Sequence, residues 1–317
     1  STQAKTLFPY TTLFRSNLTK SHNLLKKKRQ ALFSSIFLFM TVITFTLIVL
    51  VGSIAAGIIG SLSGLGGGIV VIPLLSIVLG VDLHYAIGAA LVSVIATSSG
   101  SAAAYVREGV ANMRLGMFLE IATTLGAVGG ALISTMAPGS IIAVIFGLAL
   151  IFSAINSIRK KEEHIVQNSS LLAEKLKLPS QYPVKKGEWV KYGTKNVIGG
   201  FSMMGLAGML SGMLGIGSGA FKVIAMDTIM KIPFKVSTTT SNFMMGVTAL
   251  ASCVIYVQKG YIVPDICLPV MIGVLTGAMI GSKILMATDP KKLRIFFAFV
   301  IFFLAANMIY NGLNGKF

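Results

Sequence analysis

Two stretches of the chain place glycines where an apolar helix would otherwise continue: SLSGLGGGIVVIPLL over 61–75 and SGMLGIGSGAFKVIA over 211–225. Each glycine inside a helix costs about 1 kcal/mol relative to alanine. Backbone groups freed within a bilayer cost more still unless something satisfies them. A helix that stops and restarts there presents unpaired N–H groups at a positive dipole end, an arrangement that attracts anions. Glycine suits the turn, because it accepts positive φ and lets a solute approach the backbone. Gly64, Gly66 and Gly68 in the first stretch, and Gly215, Gly217 and Gly219 in the second, are therefore candidate anion contacts. Close helix packing is the competing use of small residues. It is the favoured reading for Gly126, Gly130, Gly277 and Gly281.

Glu120, Lys222, Asp227 and Lys283 are among the ionisable residues within apolar runs, where a charge costs at least a few kcal/mol. Lys222 follows Gly219 by three positions, so its ammonium would add to the field of the second break; snorkelling to an interface is the alternative. Glu120 lies about two helical turns into its span, with Thr124 one turn further on the same face. A proton-relay role and a structural pairing with Arg107 or Arg114 both fit it. Asp227 is a second candidate for coupling to protons or sodium. Hydroxyls add a third class. Ser93, Thr97, Ser101 and Tyr105 recur every four residues along one helix face, and Thr248, Ser252 and Tyr256 repeat the pattern. Thr97, Ser98, Thr240, Ser241 and Thr248 are the candidate solute contacts among them, although such side chains also bond back to their own helix.

The elements that must hold these residues are membrane helices. Of 317 residues 54% are hydrophobic and 12% charged, about half the usual charge fraction of a soluble domain. Apolar runs of spanning length recur at 36–60, 84–106, 115–136, 138–157, 194–214, 235–257, 265–287 and 293–312, with shorter ones at 69–80 and 220–231. The expectation is an all-α polytopic membrane protein of about ten helices, eight crossing and two short and broken. The net charge of +17 does not point to nucleic acid, because its bases cluster beside the spans. Seven Lys/Arg and no acid occupy residues 1–30, and nine against four acids occupy 159–195. Such clusters mark the cytoplasmic side and meet anionic headgroups. Cys253, Cys267 and three scattered histidines compose no metal site, and no nucleophile–base pair appears in the spans. No enzyme activity and no cofactor is expected.

The chain matches itself at an offset of 151 positions without a gap. Gly64, Gly66 and Gly68 fall on Gly215, Gly217 and Gly219, and Thr97, Ser101 and Tyr105 on Thr248, Ser252 and Tyr256. This divides the chain into a tail (1–30), a first repeat (31–157), a basic polar linker (158–193) and a second repeat (194–317). Residues 1–16 lack the basic start and apolar run of a signal peptide and read as a translated adapter scar. The native start is expected near Asn17 or later. Paired glycine-interrupted segments in two related halves are a pointer to a transporter site. If each short piece returns to its own side, the linker and both termini are cytoplasmic, the layout that the charges favour. If the short pieces cross, the halves are five-helix units of opposite direction and the linker lies outside.

The residues SGLGGGIVVIPLL, SGMLGIGSGAF, IGAALVSVIATSSGSAAAYVREG and KVSTTTSNFMMGVTALAS resemble the sulfite exporter TauE/SafE family over roughly 50–312. The resemblance implies export of small sulfur-containing anions, sulfite or organosulfonates, driven by an ion gradient. It also adds Gly67 and Ser218 to the two glycine motifs, and Asn242 to the hydroxyl-rich start formed with Thr240 and Ser241. In the first half Ala89 and Ala90 stand where the family has a hydroxyl. The expected protein is a cell-membrane secondary transporter that rocks about an anion held between two breaks. A passive channel and a non-transporting membrane subunit are the alternatives. Its partners are the anion, the bilayer, a proton or sodium ion and a second copy of the chain.

Overall fold

The computed structural model describes residues 42–60, 67–107, 109–158, 168–185, 188–287 and 290–315, with the backbone alone at 100–107, 156–158, 184–185, 188, 282–287 and 290–298. The chain divides into Ser1–Ile48 and Val49–Phe317. Of the first unit, residues 42–48 are described, as the start of helix α1 (Val42–Gly60). All packing below lies within the second.

The architecture is mostly helical. α2 (Gly68–Pro73) runs directly into a π-helical turn, Leu74–Val78, and is followed by α3 (Leu83–Arg107), α4 (Met113–Met136) and α5 (Gly139–Ile158). After the linker come α7 (Val197–Leu214), α8 (Gly219–Ile224) with its own π-helical turn, Ala225–Ile229, then α9 (Phe234–Gln258), α10 (Pro264–Ala287) and α11 (Pro290–Leu313). The starts of α8, α9, α10 and α11 each lie 151 residues after those of α2, α3, α4 and α5. Among the described residues, α1, α4, α7, α9 and the Pro264–Gly281 part of α10 are long and apolar enough to cross a membrane. The polarity is that of a lipid-facing bundle: Met117, Ile121 and Leu125 on α4 and Leu250, Val254 and Val257 on α9 are exposed, while Ser, Thr and Gly face inward. With lipid outside, small inward residues allow the close backbone contact that drives association.

Those contacts set the helix directions. A Cβ on Gly126 or Gly130 would lie 2.1 or 2.0 Å from the carbonyl oxygens of Gly205 or Met209, and one on Gly208 or Gly212 as close to Thr123 or Ala127. The residue numbers rise together, so α4 and α7 run parallel. α1 and α10 pack the same way, Gly273 against Leu50 and Gly277 against Ile54. α4 also runs parallel to α9, from Asn112 beside Thr240 to Glu120 beside Thr248. α3 opposes α9, with Gly88 against Tyr261 and Ser98 bonded to Asn242. α5 opposes α11, with Gly147 against Ile309 and Gly312 against Ser140.

The linker caps one end of this bundle. It folds as α6 (Leu171–Lys175) and an antiparallel hairpin, β1 (Ser180–Lys185) and β2 (Glu188–Tyr192), with Tyr182 opposite Val190. The hairpin departs from an all-α fold, and period-2 alternation explains it: Tyr182 and Tyr192 are buried while Gln181 and Lys191 face out. Ala173, Leu178, Tyr182 and Tyr192 share a core with Leu115, Leu119, Val236 and Met244 at the starts of α4 and α9. Asn112 ties the cap down. Its Oδ1 accepts from Leu115 N (3.0 Å), and its Nδ2 donates to Leu178 O (2.9 Å) and the Tyr192 hydroxyl (2.8 Å). Burial pushes the Tyr192 hydroxyl up to about 12.

The layout favoured by the charges put the linker and the C-terminus on one side. In the structure the cap sits at the starts of α4 and α9, whereas α11 ends beside Ser140, beyond the far end of α4. The cap and the end of α11 therefore lie at opposite ends of the bundle. The reason is helix direction, which basic clusters do not encode when they occur at both ends.

Candidate functional site

At the second glycine stretch α7 stops at Leu214 and α8 begins at Gly219. The turn between them is left-handed at three positions: Gly215 (φ 68°), Gly217 (φ 70°) and Ser218 (φ 45°). Glycine adopts this conformation freely, whereas the Cβ of Ser218 strains it by about 1–2 kcal/mol. The Ser218 hydroxyl makes no cap bond and is buried without a partner. In the first stretch Gly64 and Gly66 lie outside the described residues. Gly67 is already helical (φ −66°) and packs on Val274. A Cβ on Gly68 would sit 3.0 Å from the Gly215 carbonyl oxygen, so the two stretches meet there through packing.

One turn into α8 lies the most buried charge among the described residues. Lys222 is fully enclosed, so it does not snorkel. Its Nζ donates to the Thr248 hydroxyl of α9 at 2.5 Å. That same oxygen lies 2.6 Å from Glu120 Oε1 of α4 and 2.8 Å from Met244 O. A hydroxyl has one proton, so Thr248 donates to the carboxylate or to the carbonyl, not to both. Thr124 adds a 3.3 Å bond to Glu120 Oε1. Glu120 Oε2 is buried without a hydrogen-bond partner. A cation and an anion are thus joined through one hydroxyl, with an acceptor oxygen left over. Arg114 does not supply the pairing, because it donates to Lys177 O, and the Arg107 side chain lies outside the described residues.

The remaining candidates spread along the interface. Ser241 donates to Gly219 O (3.3 Å), which joins α9 to the start of α8. Ser98 donates to Asn242 O (2.6 Å) across the α3–α9 contact. Thr97 bonds back to Ser93 O at 3.0 Å. Thr240 accepts from Asn112 N at the cap, about 12 Å along α9 from Thr248. Asp227 is half-buried in the π-helical turn and is not among the groups around Glu120. Lys222, Glu120 and Thr248 are brought together; Thr240 and Asp227 are not part of that group. The pairing of Lys222 with Glu120 was missed in sequence, although two opposite charges at membrane depth call for each other.

Residues 48–308 match the sulfite exporter TauE/SafE family. The chain belongs to this family. It is 26% identical over 277 residues to the probable membrane transporter protein YunE of Bacillus subtilis, covering 85% of this chain and 99% of that one. It is 28% identical to the probable membrane transporter protein YdhB of the same organism, over 72% of this chain and 85% of the relative. The probable membrane transporter protein MJ0441 of Methanocaldococcus jannaschii is 25% identical, over 80% and 91%. No solved structure matches the chain.

Within this TauE/SafE member the two glycine stretches have unequal surroundings. At the offset of 151 positions, Lys222 corresponds to Val71, Glu120 to Met271 and Thr248 to Thr97. The charged group therefore exists on the α4–α8–α9 side and has an apolar counterpart on the other. Its centre is closed, with Lys222, Thr248 and Ser241 at 0–1% exposure. An open cavity of about 700 Å³ lies elsewhere, lined by Ser76, Ile77, Phe303, Asn307, Tyr310 and Asn311.

Proposed function

We propose that this TauE/SafE protein is a secondary transporter that exports small sulfur-containing anions, sulfite or organosulfonate-like, across the cell membrane. The observation that carries the reading is Lys222, an ammonium fully enclosed beside a helix break and held by a hydroxyl that also contacts a carboxylate. A buried ammonium needs a negative partner. A small oxyanion reaching Lys222 would also meet the Thr248 hydroxyl and the first-turn amides of α8. Gly215, Gly217, Ser218 and Gly219 shape that approach, and Ser241 lines it. Gly67 and Gly68 belong to the opposing stretch, with Gly64 and Gly66 proposed beside them and Thr97, Ser98, Thr240 and Asn242 along the α3–α9 seam. The closed centre supports a carrier over a channel, because a channel needs a continuous wet pore.

The common offset of element starts supports a duplication into two five-helix units of opposite direction, in each of which four full helices and the short broken one cross. Alternating access is then the rocking of the α4–α7–α8–α9 group against the remainder. We place the termini in the cytoplasm, because Lys26, Lys27, Lys28 and Arg29 precede α1 with no acid among them. The linker cap then faces outward. The test is sulfite and sulfonate flux in proteoliposomes. Lys222→Met and Gly217→Val should reduce it to the rate of empty vesicles, and unchanged flux in both would refute the placement.

A further inference from the structure

We propose that the Lys222 ammonium pairs with one negative group at a time, either the Glu120 carboxylate or the transported anion, so that each monoanion bound requires one proton on Glu120. This rests on the reading of Lys222 as the anion site and adds to it the coupling ion and the stoichiometry.

Three observations carry it. The first is the single hydroxyl between the charges. Thr248 Oγ1 receives Lys222 Nζ and touches Glu120 Oε1 at 2.6 Å, so an anion that takes the ammonium lies against the carboxylate as well. Two negative groups sharing one buried cation repel strongly, and protonation of one relieves the conflict. The second is Glu120 Oε2, which has no hydrogen-bond partner in the closed state. A proton placed there converts the orphan acceptor into a donor. The third is the surroundings. α7 carries no ionisable residue over Val197–Leu214. On α9, Lys235 donates to Pro183 O at the cap, and Tyr256 donates to Ser134 Oγ. Cys253 is also on α9, and Asp227 is in the turn after α8. On α4, Arg114 is turned to Lys177 O, and on α3 His84 is held by Asp82 at the far end. The described charge that acts on Glu120 is Lys222.

The step balances without another reactant. The solvent proton goes to Glu120, the Glu120 contact with Lys222 through Thr248 gives way, and the anion takes the ammonium. The net addition is one proton and one anion, an electroneutral pair, so each anion exported carries one proton out with it, driven by the anion's own outward gradient. The counterpart positions Val71 and Met271 cannot repeat it, so there is one such site per chain.

The test uses the purified full chain and methanesulfonate, an anion that does not titrate in the range examined. Its affinity is measured by calorimetry between about pH 5.5 and about pH 8.5, in buffers of different ionisation enthalpy. Where Glu120 is ionised in the free protein, the dissociation constant should rise about tenfold per pH unit, with close to one proton taken up per anion. Glu120→Gln should bind with no proton uptake and no pH dependence, and replacing sodium by choline should change neither protein. Binding by the wild type without proton uptake overturns the proposal and leaves the anion site standing. Binding that persists unchanged in Lys222→Met, or no binding of methanesulfonate, sulfite or thiosulfate, overturns the site and the coupling together. Proton uptake is read on the wild type and on Lys222→Arg, whose guanidinium stays charged throughout, so the test holds even if Glu120→Gln fails to fold, and loss of the uptake in Lys222→Arg overturns the assignment to Glu120.

Discussion

At the residue scale the chemistry converges on Thr248. Its hydroxyl is the one contact recorded between a buried lysine and a buried glutamate, and neither charge can turn to water. Thr248→Val should therefore leave both groups short of a partner, costing about 1–3 kcal/mol of stability. Flux should be lost as well. Thr248→Ser keeps the oxygen and should keep most of both. Melting in detergent together with proteoliposome flux separates the two variants, and equal behaviour would deny the bridge. Ser218 offers a prediction of the opposite sign. It holds φ 45° with a hydroxyl that bonds nothing, so Ser218→Gly should raise stability by about 1 kcal/mol. A lower melting temperature would give that hydroxyl a structural partner after all.

At the element scale the bundle depends on backbones that touch. A methyl on Gly130 would lie 2.0 Å from the Met209 carbonyl oxygen, whereas one on the neighbouring Gly129 meets nothing within 4 Å. Gly130→Ala should force α4 from α7 at a cost of about 1–3 kcal/mol. Gly129→Ala should be neutral or gain up to about 1 kcal/mol from helix propensity. Thermal melts of the pair test the α4–α7 seam directly. The packing role of Gly126, Gly130 and Gly277 was legible in sequence, because small residues at helical spacing in an apolar run have few other uses. The second break was legible too, since Gly215 and Gly217 are types that left-handed turns select. Ser218 gave no such signal, because serine carries no preference strong enough to announce a positive φ. The cap hairpin was also missed: its alternating residues lie in a polar linker where no long apolar pattern stands out.

At the scale of the whole molecule, helix direction decides which segments share a face of the membrane. Single cysteines at Lys191, in the cap, and at Asn314, after α11, should label from opposite faces of the membrane. Labelling of both from one face would contradict the antiparallel packing of α5 with α11. The cap should also release at high pH. Burial holds the Tyr192 hydroxyl neutral up to about 12, above its ordinary value of about 10. Stability from that hydroxyl is complete below about pH 10 and is lost as the pH rises through about 12. Protease sensitivity of the linker should follow that window. In Tyr192→Phe the step should vanish, while Asn112 loses one of its acceptors.

Membrane residence, the approximate spans, the interruption at Gly215–Gly219 and the presence of charges at depth all came from the sequence alone. Each depends on the chemistry of a few consecutive residues against lipid, and local pattern records that chemistry directly. The lack of a charged counterpart at the offset of 151 was written there as well, in Val71 and Met271, and needed only to be compared with Lys222 and Glu120. Tertiary structure alone decided that Glu120 meets Thr248 across 128 positions, that the linker folds as a cap on α4 and α9, and that the cap and the end of α11 sit at opposite ends. Those outcomes depend on which helices run side by side and in which direction. Hydropathy and charge along one chain leave that choice open, and backbone contact between helices makes it.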